Sequence, residues 1–179
     1  MDNKIIFFPE DFENNKDIYT YRINMDSIFM FTAYLFALRG TCLRKKVGAV
    51  IVKDKRIIST GYVGSPPGAD HCIDKGCIID ERTNGCIRTI HAEMNAIIFA
   101  AKNGIALKDS SMYVTMSPCI NCAKAITVSG ITELVYDIKY RDTSGIDYLK
   151  ENGIKVRQFK LNKEIVNKRI EDFSKLGLL

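Results

Sequence analysis

His91-Ala92-Glu93 is followed, roughly two dozen residues later, by Pro118-Cys119-Ile120-Asn121-Cys122. This pairing constrains the fold because the two segments are useful only if the chain brings them to one point. Each opens a helical stretch. Cys119 and Cys122, at i and i+3, share a helix face, so both sulfurs can reach one metal ion. The partial positive charge of a helix N-terminus favours their thiolates. Two Cys and one His make three protein ligands and leave a fourth tetrahedral position for water, as a catalytic zinc requires. Zinc lowers the pKa of such a water toward neutrality. Glu93, two residues from His91, is placed to carry a proton and is not counted as a ligand. Alone, Cys-x-x-Cys would fit a structural zinc knuckle or a redox pair, and a single His is most often a satisfied core residue. Together these readings fail: a structural site wants a fourth protein ligand, and a redox pair has no use for His-Ala-Glu.

The text around these segments alternates helix and strand. Asp26 is expected to N-cap a helix carrying Ile28, Phe29, Phe31, Ala33, Leu35 and Phe36 and stopped by Gly40. Residues 47–52 and 56–61 form strands turned at Asp54-Lys55. Then come a helix over 91–102, a strand over 112–115 and a helix over 119–129. A strand over 133–136, a helix over 145–152, a strand over 154–159 and a polar helix over 162–175 complete the pattern. Strand–helix–strand units after an opening hairpin imply a three-layer α/β domain with parallel and antiparallel pairs. The expected division is an N-terminal arm over 1–25, a main domain over 26–160 and a C-terminal helix over 161–179 packed on it. Residues 63–89 form a long Gly-, Pro- and Asp-rich loop, which needs something to fasten it.

The 179 residues suffice for one domain with a proper core. No stretch approaches a transmembrane span, and Met1 to Asp11 lacks the pattern of a signal peptide. A cytoplasmic protein without membrane association is expected, so its six Cys stay reduced and clustered ones read as metal ligands. A formal charge of +5 suits an anionic small molecule as well as nucleic acid, and most basic residues are expected to be solvated surface.

His-x-Glu with a later Pro-Cys-x-x-Cys is the signature of zinc nucleobase deaminases. Over residues 25–159 the chain resembles the cytidine deaminase superfamily and, within it, the deoxycytidylate (dCMP) deaminase branch. The resemblance rests on residues 42–50 (CLRKKVGAV), 59–66 (STGYVGSP), 91–97 (HAEMNAI), 113–124 (YVTMSPCINCAK) and Gly130-Ile131. It implies an α/β/α fold with a five-stranded mixed sheet whose first strand is antiparallel. It implies hydrolysis of dCMP to dUMP and ammonia, which supplies thymidylate synthesis, with one catalytic zinc per chain and Glu93 protonating N3 and then the leaving amine. The Ala92 N–H is expected to hold the pyrimidine O2, the Ser117 carbonyl to accept from the exocyclic amine, and Ala49 to line the base pocket. A homohexamer activated by dCTP and inhibited by dTTP is also implied, with no nucleic-acid partner. Relatives carry Gly-Tyr-Asn-Gly where this chain has Gly61-Tyr62-Val63-Gly64, the sugar or effector region. Valine offers no hydrogen bond, so sugar or effector recognition should differ unless Asn95 or Tyr140 substitutes.

Cys42, Cys72, Cys77 and Cys86 lie outside this set. A second, structural zinc with four Cys ligands would fasten the long loop, with His71 as a substitute ligand; otherwise the four are buried free thiols. For the 5′-phosphate the candidates are Arg39, Arg44, Lys45, Lys46, Arg88 and Lys124, Arg88 first, with Tyr140 and Arg141 closing over substrate. The alternatives are a deaminase of another cytosine nucleotide (dCTP or CMP), or an inactive zinc-binding assembly protein, against which the intact Glu93 argues.

Overall fold

The computed structural model describes residues 9–177. Residues 1–8, which hold most of the segment judged free of a signal peptide and the start of the expected arm, lie outside the described residues. The chain divides into two compact units, one spanning residues 25–161 and one formed by the segments before and after it.

The larger unit contains α2 (Met25–Ala37), β1 (Gly48–Lys53), β2 (Arg56–Tyr62), α3 (Cys72–Lys75), β3 (Ile79–Asp80) and β4 (Gly85–Cys86). It continues with α4 (Ala92–Lys102), β5 (Ser110–Met116), α5 (Ile120–Val128), β6 (Ile131–Ile138), α6 (Ser144–Glu151) and β7 (Lys155–Gln158). Five strands form the main sheet in the order β2-β1-β5-β6-β7. β1 is antiparallel to both neighbours, and β5, β6 and β7 are parallel. Asp54 and Lys55 turn the opening hairpin with φ of 49° and 60°, the left-handed values that a tight two-residue turn needs to match strand twist.

The period-two pleat sorts the strands' apolar residues into two cores. Ala49 and Ile51, Met112 and Val114, and Leu134 and Tyr136 pack with residues of α4, α5 and α6 on one side of the sheet. Val50, Val52, Tyr113 and Val135 pack with Phe29, Met30 and Ala33 of α2 on the other. The result is the expected three-layer α/β/α arrangement with a mixed sheet. Full burial of one such aliphatic side chain contributes roughly 1.5–3 kcal/mol. The inward face of α4 is Ala92, Ala96 and Ala100, all fully buried, and its small side chains let the helix lie close on the sheet.

Asp26 does not cap α2. It lies inside the first turn, and its carboxylate accepts from Arg157 at 2.7 and 2.8 Å and from the Tyr113 hydroxyl at 2.6 Å. A carboxylate with a guanidinium partner on β7 is more strongly held there than by a backbone N–H. The long loop is not structureless: it contains α3 and the short β3–β4 ladder. Its base is closed by an isolated antiparallel bridge, with Gly64 and Ile90 exchanging hydrogen bonds at 3.2 and 2.9 Å.

The second unit contains α1 (Lys16–Thr20) and α7 (Lys163–Lys175). Asn162 caps α7 by accepting from the Glu164 and Ile165 N–H groups at 3.0 and 3.3 Å. The Arg169 guanidinium donates to the carbonyls of Ile18 and Tyr21 and lies over the rings of Tyr21 and Phe173. Among the described residues no helix is long and apolar enough to cross a membrane.

Candidate active site

His91 is the N-cap of α4 and Cys119 the N-cap of α5. β5 delivers the second of these: past Met116, the Ser117 N–H donates to the Ile138 carbonyl at 2.8 Å, extending the β5–β6 ladder. Pro118 is fully buried, and the N-terminal end of α6 presses on it. A Cβ on Gly145 would lie 2.2 Å from the Pro118 carbonyl oxygen, so only glycine allows that approach. The Pro-Cys turn is thus fixed by the sheet on one flank and α6 on the other.

The ligand atoms of His91, Cys119 and Cys122 all lie within 4.8 Å of one another. His91 Nδ1 is 3.6 Å from Cys119 Sγ and 3.5 Å from Cys122 Sγ. Tetrahedral zinc with ordinary Zn–N and Zn–S bonds would set these separations at about 3.6 Å, so the residues present fit that ion. Hydrogen bonds from Cys122 and then His91 hold the Cys119 thiol down to about 4. Cys119 beside it, together with burial, pushes the Cys122 thiol up. Both sulfurs ionise together only with a bound cation to compensate.

Glu93, in the first turn of α4, is 4 % exposed and faces the same cavity as His91 and Cys119. Burial pushes its carboxyl up, against the pull of His91. The cavity has a volume of about 640 Å³.

Ala92, Ser117, Tyr140 and Val63 also line it, as do Arg44, Lys45 and Arg141. Ser117 Oγ accepts from the Tyr140 N–H at 2.8 Å, holding the segment after β6 over the site. Other expected residues lie elsewhere. Ala49 is fully buried beneath α4 in the sheet core, and Val47, two residues earlier on the same pleat face, lines the cavity in its place. Arg88 is not on the cavity: its Nε donates to the Gly76 carbonyl at 3.0 Å and braces the cysteine loop. Gly61, Tyr62 and Gly64 do not line the cavity. Gly61 lies under α4, the Tyr62 carbonyl accepts from Asn95 Nδ2 at 2.6 Å, and Gly64 forms the bridge to Ile90. Asn95 is thus bonded to β2 and does not line the cavity. Arg39 and Lys124 are exposed away from the cavity, and Lys46 donates to the Gly40 carbonyl.

Sequence reasoning missed Val47, Thr89, Met116, Ile138 and Lys139, all on the cavity. A signal for three of them exists. Ligands of open α/β sheets bind beyond the carboxyl ends of the parallel strands. Met116 and Ile138 are the last residues of β5 and β6, and Val47 precedes the antiparallel β1, whose start lies at that same edge.

The sulfurs of Cys42, Cys72, Cys77 and Cys86 form a second cluster, also within 4.8 Å of one another. Cys72 and Cys86 are 3.5 Å apart. Zinc held by four thiolates places its sulfurs about 3.8 Å apart, so this set also fits the ion. Burial pushes the Cys72 thiol up to about 12. His71 is not part of the cluster, since all four thiols converge.

Two helix N-termini meeting in this way, with a carboxylate buried beside them and a nucleotide-sized cavity in front, define the class of nucleobase deaminases. The chain belongs to the family of cytidine and deoxycytidylate deaminases, whose zinc-binding region matches residues 23–138. It is 45 % identical to ComE operon protein 2 of Bacillus subtilis, across 82 % of this chain and 77 % of that protein. It is 40 % identical to the deoxycytidylate deaminase of Enterobacteria phage T4, across 76 % of this chain and 89 % of the relative. Among solved structures it is similar to the dCMP deaminase of cyanophage S-TIM5 in complex with dCMP and dUMP. That likeness has 33 % identity and a TM-score of 0.68, covering 78 % of this chain and 99 % of the other.

Proposed function

We propose that the chain hydrolyses dCMP to dUMP and ammonia. The observation that carries this reading is the buried Glu93 facing one cavity together with His91 and Cys119 of a three-ligand His-Cys-Cys set. Its relatives named as deoxycytidylate deaminases, and the S-TIM5 enzyme bound to dCMP and dUMP, support the substrate. In this reading the product supplies thymidylate synthesis.

His91, Cys119 and Cys122 would hold a zinc ion, which when bound supplies a Lewis acid and an activated water. The chain's own groups do the rest. Ala92, the first residue of α4, belongs to the helical turn whose N–H groups lack intrahelical acceptors, and its N–H holds the pyrimidine O2. The Ser117 carbonyl accepts from the exocyclic amine. Val47, Met116 and Ile138 give the base apolar walls that exclude bulk water. As the water oxygen bonds to C4, Glu93 takes its proton and delivers it to N3. Glu93 then carries the remaining proton of that oxygen to the amine, the C4–N bond breaks as the C4 carbonyl forms, and ammonia leaves. Arg44, Lys45, Lys139 and Arg141 on the cavity meet the 5′-phosphate, the two arginines through the N–H groups that their bonds to Asn84 and Thr83 leave over.

These cations also favour a second reading, a cytosine nucleoside triphosphate as substrate, because they exceed the charge of one phosphate. Ammonia release from dCMP, CMP, deoxycytidine, dCTP and guanine, assayed side by side, tests both. The highest kcat/KM is expected for dCMP; a higher value for dCTP selects the second reading. The same proposal includes a second, structural zinc at the four thiols, a homohexamer activated by dCTP and inhibited by dTTP, and a cytoplasmic location that keeps the thiols reduced. Sedimentation and assays with each effector test the assembly and its regulation.

A further inference from the structure

The four-thiol cluster and the catalytic cavity share a wall. Cys42 and Cys86 belong to the cluster and also line the cavity, whereas Cys72 and Cys77 do not reach it. The same two segments are tied a second time. Arg44, two residues after Cys42, donates to the Asn84 carbonyl at 2.7 Å and to its Oδ1 at 3.1 Å, and Asn84 lies two residues before Cys86. From the segment after β6, Arg141 donates to the Thr83 carbonyl at 2.7 Å. The strands behind this turn, β3 and β4, pair at Ile79–Cys86 and Asp80–Gly85, with one more backbone bond from the Ile87 N–H to the Ile78 carbonyl at 2.9 Å. A hairpin that small does not hold its own position in water.

We propose that the four-thiol cluster is a positioning device for the substrate site. A metal ion held there fixes the β3–β4 hairpin as the cavity wall, with Arg44 and Arg141 latched across its turn. Loss of that ion loosens the wall and weakens nucleotide binding, while the His91, Cys119 and Cys122 centre stays intact. The inference rests on the reading of the cluster as a zinc site. Its ligands Cys42 and Cys86 act through the wall they hold and are positioning residues for the deamination.

Cys77→Ser tests it, because Cys77 touches the cluster but not the cavity. Metal content is read by elemental analysis, dCMP affinity by equilibrium dialysis in a Glu93→Gln background, KM and kcat by ammonia release, and wall mobility by hydrogen exchange over residues 79–86. The variant should fall from two zinc ions per chain to one. Kd and KM should rise about tenfold if the ordered wall drops to a tenth of the population. Exchange over 79–86 should accelerate, and kcat at saturation should hold. Loss of the ion with unchanged Kd, KM and exchange overturns the proposal but leaves the second zinc standing. One zinc per wild-type chain overturns both. Exchange is measured without nucleotide, so it is independent of whether dCMP is the substrate. If Cys77→Ser does not fold, Cys77→Asp serves, because it leaves a weaker ligand at a position off the cavity: exchange over residues 79–86 and KM should then both fall as zinc is added, and zinc that binds without changing either rejects the proposal.

Discussion

Gly61 and Ala92 are in direct backbone contact: a Cβ added to Gly61 would lie 2.2 Å from the Ala92 carbonyl oxygen. The start of α4, which carries His91 and Glu93, is therefore seated on a strand that has no side chain at that point. Gly61→Ala should push the helix outward, with an overpacking cost of about 1–3 kcal/mol. Thermal unfolding should show the lower stability, and elemental analysis should show reduced zinc retention.

Glu93 is asked to move protons and not to bind metal. Glu93→Gln keeps the size and polarity of the side chain while removing its basicity. Zinc content should match wild type, while kcat should fall by about 10²–10⁴-fold. A variant that loses zinc in parallel with activity would instead make Glu93 a ligand.

Val63 presents an apolar surface to the cavity, and its backbone is bound at both ends: its N–H donates to the Val47 carbonyl and its carbonyl accepts from Thr41, both at 3.0 Å. Replacing the side chain alters recognition without freeing the backbone. Val63→Asn should sharpen the preference for dCMP over CMP by about tenfold, the worth of one well-made hydrogen bond. Identical kcat/KM ratios in both proteins would show that Val63 has no part in that preference.

The α2–β7 latch predicts a pH dependence. The hydrogen bond from Arg157 holds the Asp26 carboxyl below its ordinary value of 3.8, against the effect of burial. Glu133 is also lowered: burial raises it, but hydrogen bonds from Arg157, Lys155 and Ser111 outweigh that. A depressed folded pKa means stability that is present above the unfolded value and lost as pH falls through the folded one. Asp26→Asn should cost about 1 kcal/mol at pH 7, solvent screening included. In urea unfolding that gap between variant and wild type should narrow as the pH drops below about 4. Glu133 titrates in both proteins and largely cancels from the difference.

Much of this was legible in the sequence, because the signals were local. Ligand spacing, helix starts and the helix–strand alternation depend on neighbours along the chain, and they led to the metal set and the layer order. What escaped depended on distant partners. Asp26 has the composition of a cap, but Arg157, 131 residues away, claims its carboxylate. Arg88 is next to the catalytic helix in sequence yet faces the Gly76 carbonyl, because the cysteine loop folds back beside it. Ala49 and Val47 share a pleat face, and only the height of β1 in the sheet decides which one meets the cavity. The β3–β4 ladder has two residues per strand, too few for any periodicity to be visible.

The bridge between Gly64 and Ile90 makes the intervening stretch a cassette. The chain leaves β2 and re-enters ahead of α4 through one pair of facing residues. What lies between can therefore vary without changing the register of the strand or the starting point of the helix, so long as Cys72, Cys77 and Cys86 still meet Cys42. Selection can rewrite this rim of the nucleotide pocket while the proton-transfer machinery stays untouched, and a designer grafting a different loop between those two residues should be able to do the same.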